Sequence, residues 1–227
     1  FNSVAEGSKK SLALVNAGPG LTNTITGIAG AWLENRFVLI IGGQVKTSDL
    51  KNNVNLRQRG IQEIDGVALV KSICKLAMLI KTPINKNKFI DAISAGYIGK
   101  KGPVFLEIPI DIQAFSFQVE INEPAKHKLL ESYDLKHLEL IIEKYNASKK
   151  PIILVGGGVS YETAELINKT IIDCNIPFMT TYNGADRVDS EYLYYFGRPN
   201  TWGQRSANII IQKADLIIVF GSRLGLQ

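Results

Sequence analysis

The chain has 227 residues, of which 45% are hydrophobic and 21% charged, with a formal net charge of +5. This balance belongs to one large or two modest globular domains and excludes a disordered chain. No apolar run reaches the roughly 18 residues needed to cross a bilayer, and no basic start with an apolar stretch and small-residue cleavage site is visible, so a cytoplasmic protein without a membrane partner is expected. The lysines from Lys81 to Lys101 and from Lys126 to Lys150 lack interleaved aromatic residues. They read as solvated helix faces, and no nucleic-acid partner is expected. Cys74 and Cys174 stand far apart in apolar segments, as buried free thiols do, and His127 and His137 lack metal-ligand spacing.

In chain order, Leu12 to Asn23 reads LALVNAGPGLTN, an apolar run ending in Gly18-Pro19-Gly20 before an amphipathic segment from Leu21 to Asn35. The pattern predicts strand, tight turn, helix. The glycines permit close backbone approach, Pro19 stiffens the turn, and the helix behind it would offer free amides and the positive end of its dipole to a polar or anionic group. An ordinary strand-to-helix connection is the plain alternative. Phe37 to Gly43 is a near-continuous apolar run, as in a strand buried on both faces of a parallel sheet. A polar loop from Val45 to Arg59 follows, then a helical pattern over Gly66 to Leu76, a strand at Leu76 to Lys81, a helix at Lys86 to Gly99 and a strand at Val104 to Ile108. That is a βαβ series.

Periodicity dissolves between Ile110 and Tyr133, which reads as a connector. Beyond it, Asp134 is placed to cap a helix to about Ala147, Pro151 to Gly156 reads as a buried strand, and Tyr161 to Cys174 as a helix. A strand at Pro177 to Thr181, a helix at Ala207 to Ala214 and a strand at Leu216 to Gly221 complete the pattern. The expected fold is α/β, with two doubly wound domains of mainly parallel sheet, the second Rossmann-like. The boundaries are placed at residues 1–115, a linker at 116–133, and residues 134–227.

Several ordered motifs go together. VNAGPGLTN, the strand end GGQV at Gly42 to Val45, RQRGIQEIDGVALVKSICK at Arg57 to Lys75 and GKKGPVFLEIPIDIQ at Gly99 to Gln113 resemble the pyrimidine-binding domain of thiamine-diphosphate enzymes, above all the acetolactate synthase branch. PIILVGGGVS at Pro151 to Ser160 and the stretch from Gly197 to Gln227 resemble that family's central domain. The resemblance implies thiamine diphosphate with Mg2+, a small 2-keto acid such as pyruvate as substrate, and a homodimer or homotetramer in which a partner subunit completes the cofactor cleft.

Position by position, Pro19 and Asn23, with Gly18, match the loop near the aminopyrimidine ring. Asn16 stands where many relatives have a hydroxyl residue. Gln44 matches the glutamine ending the second strand, and Gln62, beside Glu63, matches an amide near the reacting centre, where it would orient a carbonyl or a water. Each has a structural alternative: Asn23 as a helix cap, Gln44 as a turn closure, Glu63 as a helix-start residue. In the central domain Gly156, Gly157, Gly158, Gly203, Gly221, Ser222 and Arg223 occupy positions comparable to those that bind FAD in the family. FAD is an option only, because Arg223-Leu224-Gly225-Leu226 departs from the family's Arg-Phe-Asp-Asp pattern, and the glycines also suit a plain strand-to-helix turn.

Two other departures bear on activity. The family's essential glutamate lies upstream of a segment resembling Ala5-Glu6-Gly7, so it would precede Phe1, and Glu6 is no substitute for it. The Gly-Asp-Gly and asparagine motif that holds Mg2+ does not occur here, so metal ligands are expected outside this segment; Asp186 with Asp189 reads as a solvated loop pair. Residues 1–227 alone are therefore expected to be inactive. The alternative function is a catalytically silent nucleotide-binding or partner-pairing module on the same scaffold.

Overall fold

The computed structural model describes residues 11–52, 55–116 and 135–225. The expectations for Glu6, His127, the Asp134 cap and nearly all of the proposed linker fall outside those residues. The chain divides into two compact units, Phe1–Lys128 and Leu129–Gln227.

The first unit holds β1 (Leu12–Val15), α1 (Pro19–Thr22), α2 (Ile25–Leu33), β2 (Leu39–Gln44), α3 (Gly66–Val70), β3 (Leu76–Leu79), α4 (Lys86–Ser94), β4 (Val104–Pro109) and α5 (Ile110–Gln113). The four strands form one parallel sheet in the order β1-β2-β4-β3. β4 lies between two neighbours and is buried almost throughout, which is why VFLEIP is apolar at every position but Glu107 instead of alternating. Ala13, Ile40 and Phe105 pack on one face against Leu21, Ile28 and Val70, while Leu39, Val104 and Leu106 pack on the other with Ala92 and Phe89.

The expected helix from Leu21 to Asn35 is broken in two. The Thr24 hydroxyl takes the Leu21 carbonyl at 2.7 Å and the Thr22 hydroxyl takes that of Pro19 at 3.2 Å, so local side-chain bonds compete with the helical ladder. α2 then ends at Leu33, ahead of Asn35, which is left-handed at φ 54, with the Arg36 amide closing back on Ala31. The stretch from Gly66 to Leu76 is also shorter than expected, with α3 followed by a 3-10 turn at Lys71–Ile73. α4 stops at Ser94, after which the Gly96 and Tyr97 amides close on Ile93 and Ser94 in tighter turns; Gly96 gives room to the Phe37 ring, which stacks on Tyr97 at 4.0 Å between centroids. The one-turn helix α5 is an addition that the periodicity did not reveal.

The second unit holds α6 (Leu135–Ala147), β5 (Pro151–Val155), α7 (Tyr161–Cys174), β6 (Phe178–Thr180), α8 (Arg205–Lys213) and β7 (Leu216–Phe220). Its strands are parallel in the order β6-β5-β7. Consecutive strands β5 and β6 neighbour each other while β7 returns to the far side of β5, the arrangement of a doubly wound sheet. Ser160 caps α7 by accepting from the Thr163 amide at 3.1 Å, and left-handed Asn175 ends it. Cys74 is buried, and burial pushes its thiol up to about 12, so it stays protonated and inert. Cys174 is exposed on the last turn of α7, not buried as its apolar segment suggested. Among the described residues no helix is long and apolar enough to cross a membrane.

Candidate active site

The carboxyl ends of β1 and β2 bring most of the sequence-selected residues of the first unit to one edge. Gly18 has φ +63, and a methyl group on it would lie 2.7 Å from the Gln62 carbonyl oxygen and 3.0 Å from the Gln62 Cβ. The loop before α3 is therefore seated directly on the GPG turn. Gln62 itself is left-handed at φ 60 and exposed. A long side chain in that region is strained, and such strain marks sites whose surroundings impose it. The Asn16 side chain fills the space a Cβ on Gly20 would take, and its Cα lies 3.9 Å from where a Cβ on Gly43 would stand. Pro19 and Asn23 are exposed at the two ends of this turn.

Gln44 is 5% exposed, and its amide is spent inside the protein. Nε2 donates to the Ile64 carbonyl and to the Glu107 carboxylate, both at 3.0 Å, and Oε1 accepts from the Val45 amide at 2.9 Å. In this position it ties the 60s loop to the sheet. Glu63 ties the same loop to itself: its carboxylate accepts from the amides of Lys51, Arg59 and Gly60. Burial pushes that carboxyl up, but the Lys51, Gly60 and Arg59 amides outweigh it and hold it below the usual range. Asp65, not Glu63, caps α3, accepting from the Ala68 amide at 2.9 Å. Glu63→Ala is expected to cost about 2 kcal/mol, with increased protease cleavage confined to residues 50–64; uniform cleavage across the chain would refute a local staple.

Reasoning from sequence passed over Glu107 and Asp111. Glu107 is 1% exposed, and burial, reinforced by the negative charge of Asp65 and only partly offset by the Gln44 hydrogen bond, pushes its carboxyl up to about 7. A lone acidic residue inside VFLEIP was the available signal. Asp111 accepts from the Thr47 hydroxyl at 2.5 Å and the Thr47 amide at 3.0 Å, closing the loop after β2 onto α5.

What the first unit presents is a stiff turn with the neutral amide residues Asn16 and Gln62 packed on its glycines and Asn23 exposed at its far end. α1 is a single turn whose Thr22 and Asn23 amides already close on Gly18 and Pro19, so the dipole of a long helix is not present at this loop. Neutral amides and a proline fit the polar edge of a heteroaromatic ring better than they fit a diphosphate. Among the described residues no three His, Cys, Asp or Glu side chains gather in a way that could hold a metal ion.

In the second unit the strand-end glycines meet each other. A Cβ on Gly156 would lie 2.5 Å from the Gly221 carbonyl, one on Gly158 2.8 Å from the same oxygen, and one on Gly184 2.5 Å from the Val155 carbonyl. Gly157 is likewise packed on Asn183, and Gly221, at φ +63, on Val159. The Gly156, Gly158 and Val159 amides are used internally, donating to Phe220, Gly221 and Gly156. Their close packing accounts for these glycines as parts of a strand-to-helix turn, while Gly158, Gly221 and Arg223 stand exposed at its surface. Arg187, buried beneath, bolts the turn: Nε donates to the Val159 carbonyl at 2.8 Å, the guanidinium stacks 3.9 Å over the Tyr161 ring, and Asp186 pairs with it at 2.5 Å. Asp186 also takes the Tyr161 hydroxyl at 2.7 Å, so it is a tie and not a free loop carboxylate.

Comparison with known proteins bears on both units. A family model described as "Thiamine pyrophosphate enzyme, N-terminal TPP binding domain" matches residues 5–69, and one described as "Thiamine pyrophosphate enzyme, central domain" matches residues 138–226. The chain belongs to the thiamine pyrophosphate enzyme family. It is 30% identical to the acetolactate synthase large subunit of Lactococcus lactis, over 96% of this chain and 39% of that protein. Against the acetolactate synthase isozyme 2 large subunit of Escherichia coli K12 it is 29% identical over 95% of this chain and 38% of that protein. The mitochondrial acetolactate synthase catalytic subunit of Aspergillus candidus gives 29% over 95% and 32%. The chain thus spans between about a third and two fifths of the length of these relatives, and the match to the TPP-binding domain model covers the loop carrying Asn16, Gly18, Pro19 and Asn23 together with Gln44 and Gln62.

Proposed function

We propose that this chain forms one wall of the cofactor cleft of a thiamine-diphosphate-dependent carboligase or decarboxylase of the acetolactate synthase type, acting on pyruvate or another small 2-keto acid. The observation that carries the reading is the seating of left-handed Gln62 on Gly18 beside Asn16, at the carboxyl edge of a parallel sheet. In this reading Asn16, Pro19 and Asn23 line the ring end of the cofactor, and Gln62 orients a substrate carbonyl or a water. Bound thiamine diphosphate supplies the electron sink for breaking and making the bond next to the carbonyl. Gln44 acts from behind, as the tie that keeps the Gln62 loop in place. The opposite wall, the Mg2+ ligands and the diphosphate contacts come from outside these residues, in a homodimer or homotetramer. Flavin is left out of the reading, because the packing of the second unit's glycines is accounted for by their own turn.

Titration of the intact protein with thiamine diphosphate and Mg2+ tests this directly. Saturable binding and 2-keto acid turnover are expected, and no saturable binding would sink the proposal. Binding without turnover would instead favour a catalytically silent module. Gln62→Ala is expected to lower turnover at least tenfold, of the size expected for one positioning group, while leaving cofactor affinity and thermal midpoint within error. An unchanged rate removes Gln62 from the site.

A further inference from the structure

Glu107 stands 63 residues away in sequence from Gln44 and opposite Gly42 in the β2–β4 register, where the neighbouring strand carries no side chain. Its carboxyl lies under Gly66 at the start of α3, where Leu21 of α1 also packs, and it accepts from the Gln44 amide. A Cβ on Gly66 would lie 2.6 Å from Glu107 Oε1, so α3 is seated directly on this group. Gln44 is registered with Pro109, which has no N–H to continue the ladder. The Gln44 side chain has one amide hydrogen on Glu107 and the other on Ile64, two residues after Gln62.

We propose that Glu107 is a positioning residue of the candidate site: through the Gln44 amide and the Ile64 carbonyl it holds the loop of residues 57–65, with Gln62, against Gly18. The arrangement is a relay with one acceptor at its base. Without that acceptor, Gln44 is left with a buried, unpaired N–H, and the cost of such a group drives the amide to turn away and release Ile64. Burial and the negative charge of Asp65 push the Glu107 carboxyl up to about 7, so near neutrality the base of the relay is divided between acid and carboxylate. Asp65 is the charged group acting on it, from the start of α3; Gln44 reaches it from β2 as a neutral amide.

The inference rests on the proposed function only in giving Gln62 a task; the relay itself is tested without activity. In the intact protein, hydrogen exchange of amides in residues 57–65 is compared with that of Ile40 and Phe105 for the parent, Glu107→Gln and Glu107→Leu. Glu107→Gln keeps an acceptor for Gln44 and is expected to leave exchange of the loop within twofold of the parent. Glu107→Leu is expected to raise loop exchange at least tenfold while the strand amides stay protected. Equal exchange in all three proteins, or an increase in Glu107→Leu spread evenly over loop and strands, overturns the relay. If the loop responds as expected but neither variant alters thiamine diphosphate binding or turnover, the relay stands and the assignment of Gln62 to the site fails.

Discussion

Gly18→Ala is expected to destabilise the intact protein by about 3 kcal/mol, because two separate costs add. The backbone at φ 63 and ψ −115, a region almost confined to glycine, costs a side-chain-bearing residue about 1–3 kcal/mol. The new methyl would also press on the Gln62 carbonyl at 2.7 Å, a backbone atom that has no rotamer to escape through, at about 1–3 kcal/mol. The same pressure shifts the turn that carries Pro19 and packs on the Asn16 side chain, the groups proposed to line the ring, so thiamine diphosphate affinity is expected to fall along with stability. Urea unfolding followed with a cofactor titration reads both. A loss under 1 kcal/mol with unchanged affinity would mean that the 60s loop moves away without consequence, and the proposed wall would have no defined shape.

Glu107→Gln is expected to change how stability depends on pH. The folded carboxyl titrates at about 7 and the unfolded one near 4.5. Between these values the folded state keeps a proton that the unfolded state has released, so stability is greatest below the unfolded value and is lost as pH rises through the folded one. At about 1.4 kcal/mol per unit, the loss by pH 8 is on the order of 3 kcal/mol. The amide has no proton to lose, so the variant is expected to be flatter across pH 5 to 8 and more stable than the parent at pH 8. Denaturation at four pH values checks the sign. A parent whose stability rises from pH 5 to 8 as steeply as the variant's would show that Glu107 ionises freely.

The parts of this fold that were legible in the sequence are those written in local chemistry. β5 is an apolar run between Pro151 and a glycine series, α7 begins with Ser160 and ends before Asn175, and the turn at Gly18 carries its own proline and glycines. Where hydroxyl groups compete for backbone carbonyls, as at Thr22 and Thr24, periodicity continued through a break that the side chains impose. The candidate site was legible as a set of residues but not as a mechanism of support. Asn16, Gly18, Gln44 and Gln62 could be selected from motifs, yet that Gln44 faces inward depends on the pairing of β2 with β4, and Glu107 is its partner only in that register. Glycines mislead in a related way. A glycine shows that a side chain is missing without showing what occupies the gap, and at Gly157 and Gly221 the gap holds protein.

The interlocked corner of the second unit also limits how descendants of this chain could diverge. Gly156, Gly158, Gly184 and Gly221 each face backbone, so a methyl at any one of them meets atoms that no repacking of neighbours can clear. In a saturation library of the intact protein these four columns should be nearly empty. Gly27 and Gly99, whose surroundings are open, form the internal comparison: alanine should survive at Gly27, while at Gly99 only the left-handed backbone selects against it.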